Sequence, residues 1–589
     1  MVGYRSTLVI VGSAFAIAAG LAAPAVANGT SVDAQDDRVT RQTYVRHDMG
    51  TDAAIQVCNS IVPADYGNRT VNNEPFSVVS PTNPDLVVSG WNDYCSDWMG
   101  LGFSTTGGEA WTSSLVPGYP ADTSAEGMKS PEFIRTNTAS DPVGAFNRAG
   151  TKFFVGAISF NGFAGPKTNA DVWVARYAVR PTTDPMYSKY PLDYLGTTRV
   201  GQGPSAANFK GRFNDKEMIE VDRTGGANDG NVYLCWTKFP ANGESTIYFS
   251  RSTNGGLTFS KGIAVSGRNA GQGCDIAVES DGDVYLLWRD FELTSSKKNF
   301  GISEVRSGDG GATFGKVQKI SDLTSYNPFD TARDCGDGAD LCPSGYVFHR
   351  VPLEPRITSD PTGELPGVYA VVHASDPATV VPAEGSYTSA GPGAVGQSVV
   401  LLFRSLDNGA TWSGPVAVAP SNIGHQFFPD ADALAGRLVV MWQDSRDDAC
   451  YSVQRPMENT AAATVCNDAD GGVNTYAAVS ADGSTFSSPL RVSSKGQMTQ
   501  FEMFGSANVP FLGDYNWVQL VERADGSLFG YLTWTDNRDV VAGPDPRETT
   551  QDGFDVFSNW QLQPDGTYTR DFNLGGYDQN IYGNSITVP

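Results

Sequence analysis

Seven short apolar runs, separated by tens of polar and glycine-rich residues, are the main pattern of the chain. Each run is rich in β-branched and aromatic residues, and Gly, Asp or Pro bounds it, which is typical of β-strands. Most of the runs end in tryptophan. The runs are Leu86–Trp91, Phe153–Ile158, Val232–Trp236, Val284–Trp288, Val368–Val372, Leu438–Trp442 and Gly530–Trp534. They predict an all-β protein.

Each run lies inside a larger unit of four predicted strands, here called A to D, in which the apolar run is strand B. In the third unit, strands A, C and D are Met218–Asp222, Ile247–Arg251 and Gly262–Val265. Seven such antiparallel units predict a β-propeller with seven blades over residues 73–589, because radial repetition leaves only short, protected sheet edges. Six blades is the alternative, and a two-sheet sandwich would not explain so many similar units. The units begin near Asn73, Asp141, Asp215, Gly273, Glu354, Phe428 and Gly513.

The last unit has no clear outer strand. Its predicted strand C is Asp555–Ser558, and only a weak candidate for strand D follows at Thr567–Asp571. We therefore expect the N-terminal segment, residues 28–72, to close the propeller, with Thr43–His47 supplying or reinforcing the last strand.

A turn pattern, S-x-D-x-G-x-T-[FW], recurs between predicted strands C and D. It is complete at Ser307–Phe314 and Ser405–Trp412, has Asn for Asp at Ser252–Phe259, is one residue short at Ser480–Phe486, and is degenerate at Ser104–Trp111. Its Asp can accept hydrogen bonds from nearby backbone N–H groups, and its Gly can adopt the positive φ of a tight turn. The pattern therefore predicts a structural turn and not a catalytic site.

The first residues indicate export. Arg5, an apolar run from Thr7 to Ala22 and the small residues Ala25–Ala27 predict a signal peptide over residues 1–27. An uncleaved membrane anchor is the alternative, because the run is only marginally long enough to span a bilayer.

Eight cysteines agree with export, since an even number in a secreted chain favours disulfides. Their spacing does not resemble that of zinc sites. Sequential pairing is one of many connectivities: Cys58 with Cys95, Cys235 with Cys274, Cys335 with Cys342, and Cys450 with Cys466.

The formal net charge of −24 restricts the partners. A surface this acidic repels phosphate backbones, so nucleic acid is excluded as a partner, and no membrane insertion is expected after the signal peptide is cleaved. It also repels anionic sugars unless a local arginine cluster attracts them.

The order of the strands predicts where a site lies. In an A-B-C-D meander the C-D turns lie at one end, so the residues that follow strand B and those that precede strand A share the opposite end. That end is polar and charged, and it also bears the long segments Ser321–Pro352 and Asp447–Asn474, as binding loops often do. The alternative is that its Asp and Arg residues pair to cap strands. The candidates are Asp215, Glu217, Arg289, Arg356, Asp444, Arg446, Asp514, Tyr515, Asp536 and Arg538.

The repeated turn resembles the Asp box, or BNR repeat, of sialidases and other propellers, and the chain is similar to secreted bacterial sialidase-like proteins. The resemblance implies an arginine clamp for a sugar carboxylate, a Tyr nucleophile assisted by Glu, and an Asp acid/base. Arg289, Arg356, Arg446 and Arg538 then form the clamp, and Tyr515 with Glu217 or Asp514 forms the nucleophile. Two features differ from the sialidases: no R-I-P arginine precedes the first repeat, and catalytic sialidases have six blades.

Two functions follow. The first is an exo-glycosidase acting on sialylated or other acidic glycans, with Asp215, Asp444 and Asp536 also contacting substrate. The alternative is a non-catalytic propeller that binds a glycan, a glycoprotein or a protein partner. No cofactor is required for either function, although two oxygen-rich clusters could hold calcium. The clusters are Asp334, Asp337 and Asp340, and Asn467, Asp468 and Asp470.

Overall fold

The protein is a seven-bladed β-propeller in a computed structural model. The structure describes residues 29–41, 43–60, 71–161, 170–203, 213–240, 244–268, 271–294, 297–324, 353–382, 394–449, 451, 453, 472–499, 502–503, 509–540, 560–562, 564–565, 568–570 and 578–589. The predicted signal peptide lies outside these residues. No helix within the described ranges is long and apolar enough to cross a membrane.

Each blade is an antiparallel sheet in which strand A is innermost, lining the central channel, and strand D is outermost. Blade 1 comprises Asn72–Ser80, Asn83–Asp93, Trp98–Ser104 and Thr112–Leu115; blade 2, Thr138–Phe146, Lys152–Phe160, Asp171–Val179 and Leu192–Gly201; blade 3, Phe213–Val221, Val232–Phe239, Thr246–Ser252 and Ile263–Ala264. Blade 4 comprises Gln272–Val278, Val284–Thr294, Lys297–Ser307 and Gln318–Leu323; blade 5, Arg356–Ser359, Val368–Ser375, Ser398–Ser405 and Ser413–Ala417; blade 6, Gln426–Leu434, Arg437–Asp444, Asn474–Ser480 and Leu490–Arg491. Blade 7 comprises Trp517–Glu522, Leu528–Asp536, Asn580–Val588, and the N-terminal pieces Ser31–Val32 and Asp37–Arg38.

Short elements decorate the blades. They are the α-helix Ala53–Ser60, the 3-10 helices Gly127–Lys129 and Pro377–Thr379, and the strand pairs Val381–Pro382 with Ala394–Val395, Glu502–Met503 with Val509–Pro510, and Trp560–Leu562 with Tyr568–Arg570. The seven-bladed fold and all seven predicted B strands are confirmed. The tryptophans that end these strands are buried between blades, which explains the recurring apolar run.

Blade 7 is closed by the N-terminal segment, but not by the part that the sequence suggested. Ser31–Val32 and Asp37–Arg38 pair with Asn580–Val588, which is the third strand of the blade. Tyr44 instead bridges to Ser113 on the outer strand of blade 1, so Thr43–His47 is not the closing strand. The predicted strand C at 555–558 and residues 567 and 571 lie outside the described residues.

The repeated turn joins strands C and D, as predicted, at the end of the propeller opposite to the starts of the A strands. In its complete copies the Ser hydroxyl accepts a hydrogen bond from the Gly N–H four residues on, at 2.9 Å from Ser307 to Gly311 and from Ser405 to Gly409. The Asp accepts one from the Thr N–H, and in Asp309 the bond from the Thr313 N–H lowers the carboxyl pKa to about 2. These contacts account for the motif without catalysis.

Two of the four predicted disulfides are confirmed: Cys58–Cys95, and Cys235–Cys274, which joins strand B of blade 3 to strand A of blade 4. The other two proposed pairs, Cys335 with Cys342 and Cys450 with Cys466, lie outside the described residues.

The inner edge of every A strand carries backbone N–H groups that no other strand pairs. At each of the seven junctions between blades, one of these groups donates to a side chain of the preceding blade. The N–H groups of Asp141, Lys216, Gly273, Ile357, Ala433, Val518 and Val79 donate to Asn92, Asp141, Thr237, Asp275, Thr358, Asp430 and Gln519 respectively, at 2.7–3.4 Å. A buried N–H group without an acceptor costs free energy of folding. Each junction therefore needs a polar side chain as the acceptor along the channel.

The channel consequently contains buried charges. Its lining includes Glu220, Asp430 and Asp432. Burial raises the pKa of both Glu220 and Asp430 to about 7, although Arg223 and Arg356 respectively oppose the shift. These carboxyl groups therefore take up protons in the folded protein at pH values where they would be ionised in the unfolded chain.

The closure of the ring can be tested at Asp36, whose buried carboxylate accepts hydrogen bonds from Arg538 at 2.6 Å, the Ser494 N–H at 2.8 Å and Asn584 at 3.1 Å. We expect Asp36→Ala to lower the free energy of unfolding by about 3 kcal/mol, the lower end for a broken buried ion pair, because Arg538 keeps Asp536. Thermal or urea unfolding measures this. Asp33→Ala, at an exposed position of the same segment, is the control, and equal stability of the two variants would contradict the prediction.

Stability should fall between about pH 4.5 and pH 7 as the channel carboxyl groups ionise. A group with a raised pKa in the folded state adds stability that is complete below its usual pKa and is lost as pH rises through the folded value. We expect Glu220→Gln to remove on the order of 2 kcal/mol of the wild-type loss between pH 5 and pH 8. Chemical unfolding at both pH values measures it. Glu364→Gln, at an exposed carboxylate, should keep the wild-type loss, and an unchanged pH dependence in Glu220→Gln would refute the assignment.

Candidate functional site

The candidate site is the mouth of the channel, the end at which the A strands begin. Near this end, a β-bulge interrupts the pairing of strands A and B in five blades. In each bulge, strand A has more residues than the part of strand B that it faces. Bulges of this kind re-aim side chains and are common beside functional sites. A residue with positive φ lies in each of these five bulges: Glu74 at 56°, Asp141 at 59°, Lys216 at 50°, Gly273 at 68° and Phe428 at 50°; in blade 7, Gly513 at 79° precedes strand A.

Carboxyl groups from several blades meet at the mouth. Lys216 pairs with Asp514, lies 2.6 Å from the Glu354 carboxylate, and donates its backbone N–H to Asp141. Burial, followed by the nearby Asp141 carboxylate, raises the pKa of Asp215, which accepts a short hydrogen bond from Gln272. The mouth is therefore acidic. Its carboxyl groups are Glu74, Asp141, Asp215, Glu217, Glu354 and Asp514.

Glu217 is the most unusual of these groups. It is 1% exposed, and neither carboxyl oxygen accepts a hydrogen bond from another described residue. Burial, the Asp141 carboxylate and then Asp215 and Glu74 raise the pKa of Glu217 well above its usual range. Burial among other carboxylates favours the protonated form of a carboxyl group, which can donate a proton.

Tyr515 lies against the same carboxyl groups and beneath Arg356. Its ring centroid is 5.0 Å from the Arg356 guanidinium carbon, and the Trp517 ring lies 5.5 Å from the same carbon. Burial and then the Glu74 and Asp141 carboxylates raise the pKa of Tyr515 well above its usual range. Tyr515 therefore carries a neutral hydroxyl that donates, at 3.4 Å, to the Pro142 carbonyl oxygen. This state suits a hydrogen-bond donor better than a phenolate nucleophile.

Arg356 is held by contacts with three other blades. It is 3% exposed, its Nη1 donates to the Met218 sulfur at 3.2 Å, and its Nε lies 3.9 Å from Asp430. Stacking against the two aromatic rings orients the guanidinium plane. Of the four arginines in the predicted clamp, Arg356 is the one that stacks on Tyr515.

Arg446 and Arg538 lie in similar turns after their B strands, and Arg538 also donates to Asp36 of the N-terminal segment. In both, the Trp indole N–H donates to the Asp two residues on at 2.7 Å, and the same Asp accepts the Arg N–H at 2.8 Å and its guanidinium. The guanidiniums lie over Tyr476 and Tyr582 of their own blades. Asp444 and Asp536 are thus buried anchors for Arg446 and Arg538, as in the strand-capping alternative.

The remaining predicted residues fall at the mouth. Arg289 is buried on strand B of blade 4, opposite Gln272, the donor to Asp215. The structure thus brings together Asp215, Glu217, Arg356, Asp514 and Tyr515. It adds Glu74, Asp141 and Glu354, which the sequence did not single out. A sequence signal exists, because proline follows each of these residues at the start of a unit.

Both candidate calcium clusters lie outside the described residues, as do residues 325–352 and 454–471 of the two long segments.

No protein-family profile and no curated protein sequence matches the chain. Solved structures with a similar fold include the Hadza microbial sialidase Hz136, at 12% identity and a TM-score of 0.36 over 63% of each chain. Trypanosoma rangeli sialidase with sialic acid has 12% identity and a TM-score of 0.40, over 71% of this chain and 57% of its own. The GH93 alpha-L-arabinofuranosidase of Fusarium graminearum has 11% identity and a TM-score of 0.35, over 70% and 92%. Similarity at this level does not indicate a function, which is inferred below from the geometry of the channel mouth.

Proposed function

We propose that the protein is a glycoside hydrolase whose active site is the mouth of the channel. The observation that carries the proposal is Glu217, a buried carboxyl group with no donor from another described residue, placed beside other carboxyl groups. Glycoside hydrolysis needs one protonated and one ionised carboxyl group in different environments. The mouth supplies several carboxyl groups, and burial favours the protonated form of one of them, Glu217.

The residues divide the reaction between them. Glu217 donates its proton to the oxygen of the departing sugar. Asp141, which is partly exposed, acts as the second carboxyl group and takes a proton from the water molecule whose oxygen attacks the anomeric carbon as the glycosidic bond breaks. Tyr515 donates a hydrogen bond from its neutral hydroxyl to the sugar, and Arg356 contributes donors at the floor of the site. Asp215 accepts a hydrogen bond from Gln272, lies near Glu217 and helps to raise the pKa of Glu217.

The charge at the mouth bears on the substrate. Among the described residues of the mouth, carboxyl groups outnumber the cations Lys216, Arg289 and Arg356, so a sugar carboxylate would meet repulsion there. Arg446 and Arg538 are bound to Asp444 and Asp536, so the four arginines do not form the clamp expected for sialic acid. We therefore propose a substrate without a carboxylate, in place of the acidic glycans that the resemblance implied.

Export and the repeat family belong to the same proposal. The predicted signal peptide and the two disulfides support a secreted protein. The hydrogen bonds of the repeated turn support its resemblance to the Asp box.

Hydrolysis can be tested with a panel of neutral, cationic and anionic aryl glycosides. We expect turnover of a glycoside without a carboxylate, and a loss of about 10²–10⁴-fold in kcat for Glu217→Gln, since the amide cannot donate the catalytic proton. Glu304→Gln, at a buried Glu outside the channel, should retain activity.

Three results would contradict the proposal: no turnover of any glycoside, preferred turnover of a sialoside, or equal activity in Glu217→Gln and the wild type. Binding of a glycan without turnover would instead support the non-catalytic alternative.

A further inference from the structure

The channel holds a cavity close to the ends of the A strands, here called the strand-end cavity. Its lining includes Glu220, Arg223, Asp275, Ser359, Asp432 and Trp517. None of the six mouth carboxyl groups is among the described residues that line it. Strand A of blade 3 ends at Val221 and that of blade 5 at Ser359, and both residues line the cavity. The cavity therefore lies toward the end of the propeller that bears the repeated turns, opposite the mouth.

The exposure of the lining side chains indicates how a ligand would enter. The side chains of Glu220 and Arg223 are 23% and 17% exposed, whereas that of Arg356, which also lines the cavity and stacks on Tyr515, is 4% exposed. Solvent therefore reaches the cavity more freely at the strand ends than at Arg356. A ligand that enters there does not have to pass the groups proposed to cleave a glycoside.

Hydrogen-bond donors in the cavity exceed their protein partners. Ser359 is 7% exposed, and its hydroxyl group makes no hydrogen bond. Among the described residues, the one ion-pair partner of Arg223 is Glu220, whose carboxylate lies 3.4 Å from the Arg223 Nε. A guanidinium has five N–H donors, so this contact leaves most of them unused. Because buried polar groups are normally paired, the Ser359 hydroxyl calls for a hydrogen-bonding partner that the protein does not supply.

Carboxyl groups on the same walls provide acceptors. Asp275 accepts the backbone N–H of Ile357 at 2.8 Å, and Asp432 accepts that of Leu520 at 2.7 Å, so both carboxyl groups are fixed in position. Each carboxyl oxygen can accept a further hydrogen bond. Donors and acceptors together match a hydroxyl group, which does both. An anion would be repelled by the carboxyl groups, and a cation by the guanidiniums, so a neutral ligand fits best.

Trp517 adds an apolar wall to the cavity. Its ring is partly exposed, and the Arg356 guanidinium carbon lies 5.5 Å from the ring centroid. A flat aromatic ring can pack against the C–H groups of a sugar ring while the hydroxyl groups of the sugar reach polar side chains. An apolar wall with a few convergent polar groups is the usual composition of a small-molecule site.

We propose that the strand-end cavity is a second glycan-binding site, which takes a neutral sugar unit. Ser359 and Arg223 donate hydrogen bonds to the hydroxyl groups of the sugar. Asp275 and Asp432 accept hydrogen bonds from them, and Trp517 packs against the sugar ring. The sugar is bound there and not cleaved. The proposal does not depend on hydrolysis at the mouth, and it applies equally to a non-catalytic propeller.

Ligand-observed NMR titrations with D-glucose, D-galactose and L-arabinose test the proposal, because these free monosaccharides contain no bond for a glycosidase to cleave. We expect the wild type to bind at least one of them. The Kd of that sugar should rise about threefold or more in Ser359→Ala and about tenfold in Arg223→Met, since each variant removes a donor. The Ser359 hydroxyl has no hydrogen-bond partner, so its loss should leave the fold intact.

Ser77→Ala is the matched control for Ser359→Ala, because Ser77 is also a buried strand-A serine without a hydrogen-bond partner but does not line the cavity. Arg148→Met, at an exposed arginine, controls for the loss of a positive charge. Both should bind the sugar like the wild type.

Two results would overturn the inference. The first is that none of the three sugars binds. The second is that Ser359→Ala and Arg223→Met bind as tightly as the wild type, which would mean that the sugar lies elsewhere, such as at the mouth. Neither result bears on hydrolysis, which is measured separately with the aryl glycosides and Glu217→Gln.

Discussion

The structure depends on how the inner edges of its A strands are satisfied. A propeller protects the outer strands of its blades, but each innermost strand still presents backbone N–H groups to the channel. Here every junction uses the same solution, in which an N–H of one blade donates to a side chain of the blade before it, as from Ile357 to Asp275 or from Val518 to Asp430. In all seven of these bonds the donor is an N–H of strand A and the acceptor belongs to the preceding blade. The blades are thereby fixed in rotation, and carboxylates are brought into the channel as structural acceptors.

The need for side-chain acceptors also places polar groups at the candidate site, the mouth of the channel. Where the A strands begin, bulges with positive φ replace regular pairing, and the acceptors come from Asn92, Asp141 and Thr237. Asp141 serves both purposes, because it accepts the N–H of Lys216 and raises the pKa of Glu217. A group that the ring needs for its own stability thus favours the protonated form of the acid. Lys216 partly offsets the accumulated negative charge.

Much of the architecture could be predicted from the sequence, because strand B of every blade is a local apolar run that ends at a buried Trp or its equivalent. The repeated turn, equally local, led to the prediction that a site lies at the opposite end. Tyr515, Glu217, Asp514, Asp215 and Arg356 do meet there. Predictions were weaker where the structure depends on distant parts of the chain. The residue types of Glu74 and Asp141 do not indicate their positive φ. The closing strand lies over five hundred residues from its partner along the chain. Arg446 and Arg538 pair within their own turns, a short-range arrangement that the W-x-D-x-R spacing already allowed.

Glu217 is buried among carboxyl groups at the mouth of the channel, and this environment favours its protonated form. Infrared difference spectroscopy between the wild type and Glu217→Gln at pH 7 tests it directly, since protonated carboxyl groups and carboxylates absorb separately. We predict a carbonyl stretching band of a protonated carboxyl group that the variant lacks. A difference spectrum that contains only carboxylate bands would show that Glu217 is ionised and would contradict the account.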